Sequence, residues 1–540
     1  MKPEHVQSES MWRALRHPLF RSMWIAITAV NMGQWMHELA SGWLMTTLTD
    51  SHLMVALVQT ANALPFFLLA IPAGALADIV DRRKLLLVTN IGVFLAAVTV
   101  GFVTLSGHIS PWLLLGLNLL VATCNAMMRP TFQACVPDFV PEHDLRPAVS
   151  LNSTSSHSTR AIGPLLAGLL LAQFGAGPVF LVNAAMVLVL IGMVWMWRPA
   201  REEANDLPVE RFLEAMGAGL RYVQHTPALH TVLIRGFSFF VFGSVIWALL
   251  PVVAVHRLGG GPQTYGLLAM SFGVGAIIGT FVIPRIQGVV SRDTELAAGP
   301  LVLAATIMAL GFAPGVALVA TAMFAGGIAW NMMFSTLSIA AQLAVPNWVR
   351  ARGLSLVILM FGGSAMVGSL ASGRLADAVG IPLTMAINAF GMLAATLVCR
   401  RFRLGEDEHI DMTQSMFSPL PQVKGRIELD RGPVLVTVEH RVPADRTADF
   451  LALMQEVRRI RKRSGAFFWE VFTDTNDPER HVETFMTDSW LEHLRQHQRW
   501  TESDRVVLHR LHEFRVGDSR AAITHFVASH ARVTSAIDVE

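Results

Sequence analysis

The sequence predicts an all-α membrane protein of twelve transmembrane helices in two six-helix bundles, followed by a small α+β domain with a ferredoxin-like strand order. Three observations predict this. The 540-residue chain is 53% hydrophobic and 15% charged, whereas a soluble domain is about 25% charged. Its charge is unevenly spread: residues 1–404 carry 24 Lys+Arg and 17 Asp+Glu, and residues 405–540 carry 18 and 23. Finally, the apolar part matches itself at a fixed offset. The net charge of +2 is too small to suggest a nucleic-acid partner.

A helix needs about 20 mostly apolar residues to cross a bilayer. After a polar, basic N-terminal segment (1–20), twelve such stretches run at 21–47, 53–77, 85–105, 111–128, 149–173, 178–197, 231–255, 264–284, 296–312, 315–341, 353–373 and 381–399. Basic residues fall in every second connection. Arg13, Arg16 and Arg21 precede span 1; Arg82, Arg83 and Lys84 follow span 2; Arg146, Arg198, Arg285, Arg350 and Arg400 continue the series, with Arg257 the exception. By the positive-inside rule both termini are expected in the cytoplasm. No cleavable leader is evident, because the first apolar run is long enough to span. Cys124, Cys135 and Cys399 lack paired spacing, so no disulfide framework or CxxC metal site is expected.

Sliding the chain by 205 residues pairs Thr131 with Thr336, Val140-Pro141 with Val345-Pro346, Gly163 with Gly368, Gly168 with Gly373, Gly175 with Gly380, and Asn183 with Asn388. Spans 4–6 therefore match spans 10–12. Two six-helix halves in the same orientation are what a parallel repeat about an axis along the membrane normal requires. The expected bundles are 21–197 and 231–404, joined by a central loop (198–230) and followed by a linker (405–424) and a soluble domain (425–540).

Two segments carry recognisable chemistry. After span 2, Gly74-Ala75-Leu76-Ala77-Asp78-Ile79-Val80-Asp81-Arg82-Arg83-Lys84 sets a glycine that permits close helix approach beside an acid able to latch Arg82, Arg83 or a neighbouring helix. In span 5, Arg160-Ala161-Ile162-Gly163-Pro164-Leu165-Leu166-Ala167-Gly168 combines small residues with a proline that removes a backbone hydrogen bond, the makings of a hinge and a seal. The first segment resembles the G-x-L-a-D-r-x-G-r-k signature of the major facilitator superfamily, and the second its exporter motif G-P-x-x-G-G, with Ala167 replacing one glycine. With Asn31 to Met36, Gly42-Trp43-Leu44, Arg129-Pro130 and Val136 to Pro141, the chain is similar to the transmembrane secretion effector branch, which includes an enterobactin exporter and macrolide efflux proteins. The resemblance implies a proton-driven bacterial exporter of a small molecule.

Polar groups inside spans mark candidate function, because a charge at mid-bilayer costs roughly 2.5–3.5 kcal/mol on insertion scales. Asn31, Gln34, Glu38 and Gly42 fall on one face of span 1, with His37 adjacent; Asn118, Asn125 and Arg129 form a similar stripe on span 4, and Asn331 lies in span 10. In the superfamily spans 1, 4, 7 and 10 line the central cavity, so these stripes are expected to face substrate. Glu38 is the candidate proton-coupling carboxylate, weighed against a solvated mouth residue. Arg235 reads as a side chain snorkelling from the end of span 7.

The last segment predicts a strand at 434–442, a helix at 446–464, strands at 466–473 and 481–486 around a turn, helices at 489–498 and 502–511, and a last strand at 522–528. That β-α-β-β-α-β order is ferredoxin-like. It resembles the dimeric α/β-barrel domains of the antibiotic-biosynthesis monooxygenase type, which implies a cytoplasmic dimerisation or regulatory module and a homodimer. His493 and His497 stand at i, i+4 on a metal-ligand spacing, but with no acidic or cysteine partner in view a solvated helix face is the expectation, with no metal and no cofactor. A nucleotide-binding G-x-x-x-x-G-K-[ST] loop is absent. The alternatives to an exporter are an exporter fused to a natural-product-modifying enzyme, and a membrane sensor that has lost transport.

Overall fold

Inside a bilayer the backbone has no water to bond with, so long apolar runs must close their own hydrogen bonds as helices. The computed structural model describes residues 11–198, 221–287, 290–346, 350–402, 427–514 and 522–529. The first bundle consists of α1 (Pro18–Leu48), α2 (His52–Ile79), α3 (Arg82–Leu105), α4 (Pro111–Cys135), α5 (Leu145–Phe174) and α6 (Ala176–Met196). The second opens with α7 (Pro227–Gly243), carried on by α8 (Val245–Val252) and a π turn at Val253–Arg257. It continues through α9 (Pro262–Gln287), α10 (Arg292–Phe312), α11 (Val316–Leu343), α12 (Arg350–Val379) and α13 (Ile381–Cys399). Among the described residues, ten helical segments are long and apolar enough to cross a membrane. The two long helices outside that set are α1 and α5, which hold the polar stripe and Arg160.

The sequence repeat is also a repeat of geometry. Shifted by 205 residues, α5 (Leu145–Phe174) falls end for end on α12 (Arg350–Val379). Gly175 and Gly380, a repeat pair, each begin the following helix at positive φ, 76° and 82°, which a residue with a side chain adopts only under strain.

Basic side chains tie helix ends. Asp81 caps α3 by accepting from the Lys84 backbone N–H, and Arg83 donates to the Val194 and Trp195 carbonyls at the end of α6. Arg257, the exception to the charge pattern, donates to the carbonyls of Gly311 (2.6 Å) and Ala313 (2.8 Å), where a cation complements the α10 C-terminus. Arg235 does not snorkel as expected. It is buried, donating to the Phe402 carbonyl at 2.7 Å and pairing with Asp293 at 3.0 Å, because the first turn of α10 brings a carboxylate within reach.

Contacts divide the chain into two units, the first being Met1–Leu207, Leu233–Leu337 and Ile358–Arg403, and the second Pro208–Val232, Ser338–Val357 and Leu404–Glu540. The second is organised on β1 (Val434–Arg441), α14 (Thr447–Arg463), β2 (Phe468–Thr473), β3 (Arg480–Thr487), α15 (Trp490–Gln498), α16 (Glu502–His512) and β4 (Ile523–Val527). Its sheet runs β2-β3-β1-β4, every pair antiparallel. Alternation along the strands buries Val434, Val436, Trp469 and Phe485 with Phe450, Met454 and Val457 of α14, and leaves Phe468, Phe472 and Phe526 exposed on the opposite face. Segments from the helical part's connections join this unit: Tyr222 donates to the Ala344 carbonyl at 2.9 Å, and the Arg463 guanidinium lies 5.5 Å from the Tyr222 ring. The expected linker 405–424 lies outside the described residues.

Candidate functional site

The polar faces of α1 and α5 meet the second bundle around a cavity of about 200 Å³. Trp35, Glu38, Gln59, Arg160 and Pro164 reach it from the first bundle, and Ser244, Trp247, Tyr265, Trp330 and Ser369 from the second. Arg160 stands in an aromatic box, its guanidinium carbon 5.4 Å from the Trp35 ring centroid, 5.6 Å from Trp247 and 6.0 Å from Phe272. Its buried Nε has no hydrogen-bond partner among the described residues. A cation held by ring faces, with a free donor, presents charge without spending its hydrogen-bonding capacity.

Of the polar residues singled out in the sequence, Glu38 and Arg160 line this cavity, and Gln34 and Arg129 stand behind Glu38. Gln34 donates to Glu38 at 3.0 Å and accepts from Arg129 at 3.1 Å, so spans 1 and 4 share a chain of polar groups, and the charges of Arg129 and Arg160 both act on Glu38. Arg129 also lies 5.2 Å from the Phe66 ring. Asn331 donates to Thr280 at 3.2 Å, bridging α11 and α9. Asn31 is half-buried on α1.

Asn118 and Asn125 are both buried. Asn118 is engaged in helix packing: its Oδ1 accepts from His37 Nε2 at 2.9 Å and Ser41 at 3.0 Å, while Asn183 donates to His37 Nδ1 at 3.3 Å. This knot joins α1, α4 and α6, with His37 as the neutral Nε2–H tautomer. Spacing along span 4 places Asn118, Asn125 and Arg129 on one face but does not say which neighbour each meets, and Asn118 meets His37 and Ser41 of α1.

The glycines of span 5 have specific neighbours. A Cβ on Gly163 would stand 2.7 Å from Trp35 Cβ; one on Gly168 would stand 2.8 Å from the Pro262 carbonyl oxygen and 3.0 Å from Gly266 Cα. Their repeat partners behave alike. Gly368 abuts the Val241 carbonyl of α7, and a Cβ on Gly373 would stand 2.5 Å from Ala56 Cβ and 3.0 Å from Leu53 Cα. Thus α5 closes on α9, and α12 on α2, at the end of the bundle where α2 and α9 begin. At that end Asp377 of α12 accepts from the backbone N–H groups of His52 (2.7 Å) and Leu53 (3.2 Å) and from the Ser51 hydroxyl (3.0 Å). For the other segment, the side chains of Gly74 and Asp78 lie outside the described residues; Arg82 is half-buried at the start of α3, and Arg83 is engaged as above.

Sequence reasoning missed the aromatic box and Gln59, Ser244 and Ser369. Tyr265, one of only two tyrosines in the chain, is buried in the cavity wall. A second cluster was also missed. His493 and His497 are not on a solvated face, for His493 is 1% exposed, and β4 supplies a third histidine, His525. Burial, then His497, His525 and Arg461, push the His493 imidazole down to about 3, and burial with Arg461 and His525 pushes His497 to about 4, so both rings are neutral at physiological pH.

Two helical bundles related by a sequence repeat, enclosing a polar cavity lined from both sides, define a membrane transporter. The family model described as transmembrane secretion effector matches residues 9–534, and the chain belongs to that family of major facilitator transporters. Relatives include the uncharacterized MFS-type transporter YfiS of Bacillus subtilis, 25% identical over 391 residues, covering 69% of this chain and 92% of the relative. The staphyloferrin A transporter of Staphylococcus aureus is 24% identical over 376 residues (68% and 92%), and the multidrug efflux pump Tap of Mycolicibacterium fortuitum 23% over 397 residues (72% and 96%). The fold is shared with an inward-facing bacterial homolog of the human lysosomal transporter Spinster, at TM-score 0.54 and 16% identity over 72% of this chain and 94% of that one. These relatives are transporters rather than enzymes, and the chain is a multi-pass protein of the bacterial inner membrane.

Proposed function

We propose that this protein is a secondary active exporter that moves a small molecule, a drug, siderophore or metabolite, out of the cytoplasm by proton antiport and alternating access. The observation that carries the reading is the cavity itself, built by both bundles, with Glu38 and Arg160 facing it among aromatic rings. Relatives named as a staphyloferrin A transporter and a multidrug efflux pump point the same way. With the termini cytoplasmic, α2 and α9 begin on the outer side, so the contacts of Gly168, Gly373 and Asp377 close the outer end and leave the cavity to open inward. Cargo with a flat apolar body and a polar or anionic group fits an aromatic box around a guanidinium. Glu38 is then the coupling carboxylate: proton and cargo alternately offset the charges of Arg129 and Arg160, and two rocking bundles expose the site to each side in turn. The latch around Gly74, Asp78, Arg82 and Arg83 governs the inner end. Residues 425–540 act as a cytoplasmic module that pairs two chains through the exposed sheet face.

The test compares small molecules retained in the native host with and without the chain, each with and without a proton uncoupler. A compound that accumulates on deletion, and on uncoupling of the intact strain, supports the reading. In proteoliposomes loaded with that compound, Glu38→Gln is expected to abolish the response to an imposed pH gradient while exchange persists. Unchanged gradient dependence removes Glu38 from the coupling role.

A further inference from the structure

Beneath the C-terminal sheet, three imidazoles from two elements converge. His493 and His497 stand one turn apart on α15, and His525 comes from β4, opposite Val436 of β1. One ligand nitrogen from each ring can be chosen so that all three lie within 4.8 Å of one another. The two Nε2 atoms of His493 and His497 are 3.4 Å apart. Two nitrogens each bound about 2.05 Å from a tetrahedral zinc must be about 3.3 Å apart. The α15 pair is therefore already at ligand spacing, and the half-buried His525 ring, 4.9 Å from His493 between centroids, closes the third position by a side-chain adjustment.

Apart from their mutual contact, the buried Nδ1 atoms of His493 and His497 have no hydrogen-bond partner among the described residues, so no protein group competes for the lone pair of either ring. The surroundings suit a metal. Trp500 stacks on His497 at 11° between ring planes, and Trp490 packs on His493 at 5.4 Å, which holds both rings in place. Arg461, the cation whose charge acts on both rings, is itself paired with Glu483 at 2.9 Å.

We propose that His493, His497 and His525 form a three-imidazole site for a divalent transition ion of the zinc class, which pins β4 to α15 and leaves one coordination position open. Neutral imidazoles favour zinc and its late first-row neighbours over magnesium or calcium, and i, i+4 histidines on one helix face are a zinc-binding geometry.

The experiment titrates zinc chloride against a chromophoric chelator in the full-length, untagged chain in detergent, following thermal unfolding in parallel. One equivalent per chain is expected, with a zinc-dependent rise in the unfolding temperature. His525→Ala and His497→Ala, at partly exposed rings, each weaken binding at least tenfold and remove that rise, while circular dichroism matches the parent. His108→Ala, in an exposed loop of the other unit, changes neither. Absence of a stoichiometric equivalent overturns the site, as does retention of full affinity in both cluster variants. A loss of binding equal in His108→Ala would show adventitious surface binding and overturn it as well.

Discussion

Gly168→Ala is the perturbation that most directly tests how the cavity is sealed. The added Cβ would sit 2.8 Å from the Pro262 carbonyl oxygen and 3.0 Å from Gly266 Cα. Both obstacles are backbone, so no rotamer change relieves them, and α5 and α9 must part by about half an ångström. Overpacking of this kind costs roughly 1–3 kcal/mol. It is felt only in the state where the two helices touch, so the equilibrium shifts roughly 5- to 150-fold toward the state in which they separate. Spin labels at Phe174→Cys and Gln263→Cys, near the facing ends of α5 and α9, report the separation once Cys124, Cys135 and Cys399 are replaced. The longer-distance population is expected to grow in Gly168→Ala, and in Gly373→Ala with labels moved to α12 and α2. A distance distribution unchanged in a folded variant refutes the idea that these glycines hold the bundle shut.

Asp377→Ala removes the acceptor at the start of α2, a loss of about 1 kcal/mol, and the labels on α12 and α2 are expected to move in the same direction as in Gly373→Ala. In the C-terminal domain, Glu483→Gln strands Arg461 in a dry site at a cost of about 3–5 kcal/mol, whereas the double variant Arg461→Met/Glu483→Leu recovers much of it; thermal unfolding followed by tryptophan fluorescence distinguishes the two. Burial pushes the Glu483 carboxyl up, but the adjacent Arg461 charge and hydrogen bonds hold it at about 2, below the ordinary range near 4.3. A depressed carboxyl contributes stability that is complete above the unfolded value and lost as pH falls through the folded one. The domain is therefore expected to weaken between about pH 4 and pH 2, and Glu483→Gln to flatten that slope.

Much of this architecture was written in one dimension. Apolar run length, the period-2 alternation of 434–442 and the helical spacing of Phe450, Met454, Val457 and Ile460 act on neighbours a few residues away, and the elements they predict are present as Val434–Arg441 and Thr447–Arg463. The 205-residue offset went further, because a duplicated chain places duplicated contacts: Gly168 and Gly373 each meet the opposite bundle. Side-chain neighbours were legible where both lay on one helix, as for Gln34 and Glu38, which share a face of α1 and a hydrogen bond. Neighbours were not legible where the partner came from afar, as when Asp293 took Arg235 into an ion pair.

The sequence by itself determined the helices, the repeat, the strand order and the family, since each follows from local periodicity or from motifs that survive in linear order. Only the tertiary structure decided which helix faces meet. That choice turned Asn118 inward to His37, surrounded Arg160 with rings from both bundles, and brought His525 to a pair of histidines 28 and 32 residues earlier in the chain. Packing fixes such meetings because it is set by the sum of many weak contacts across the whole fold, and no stretch of sequence carries that sum alone.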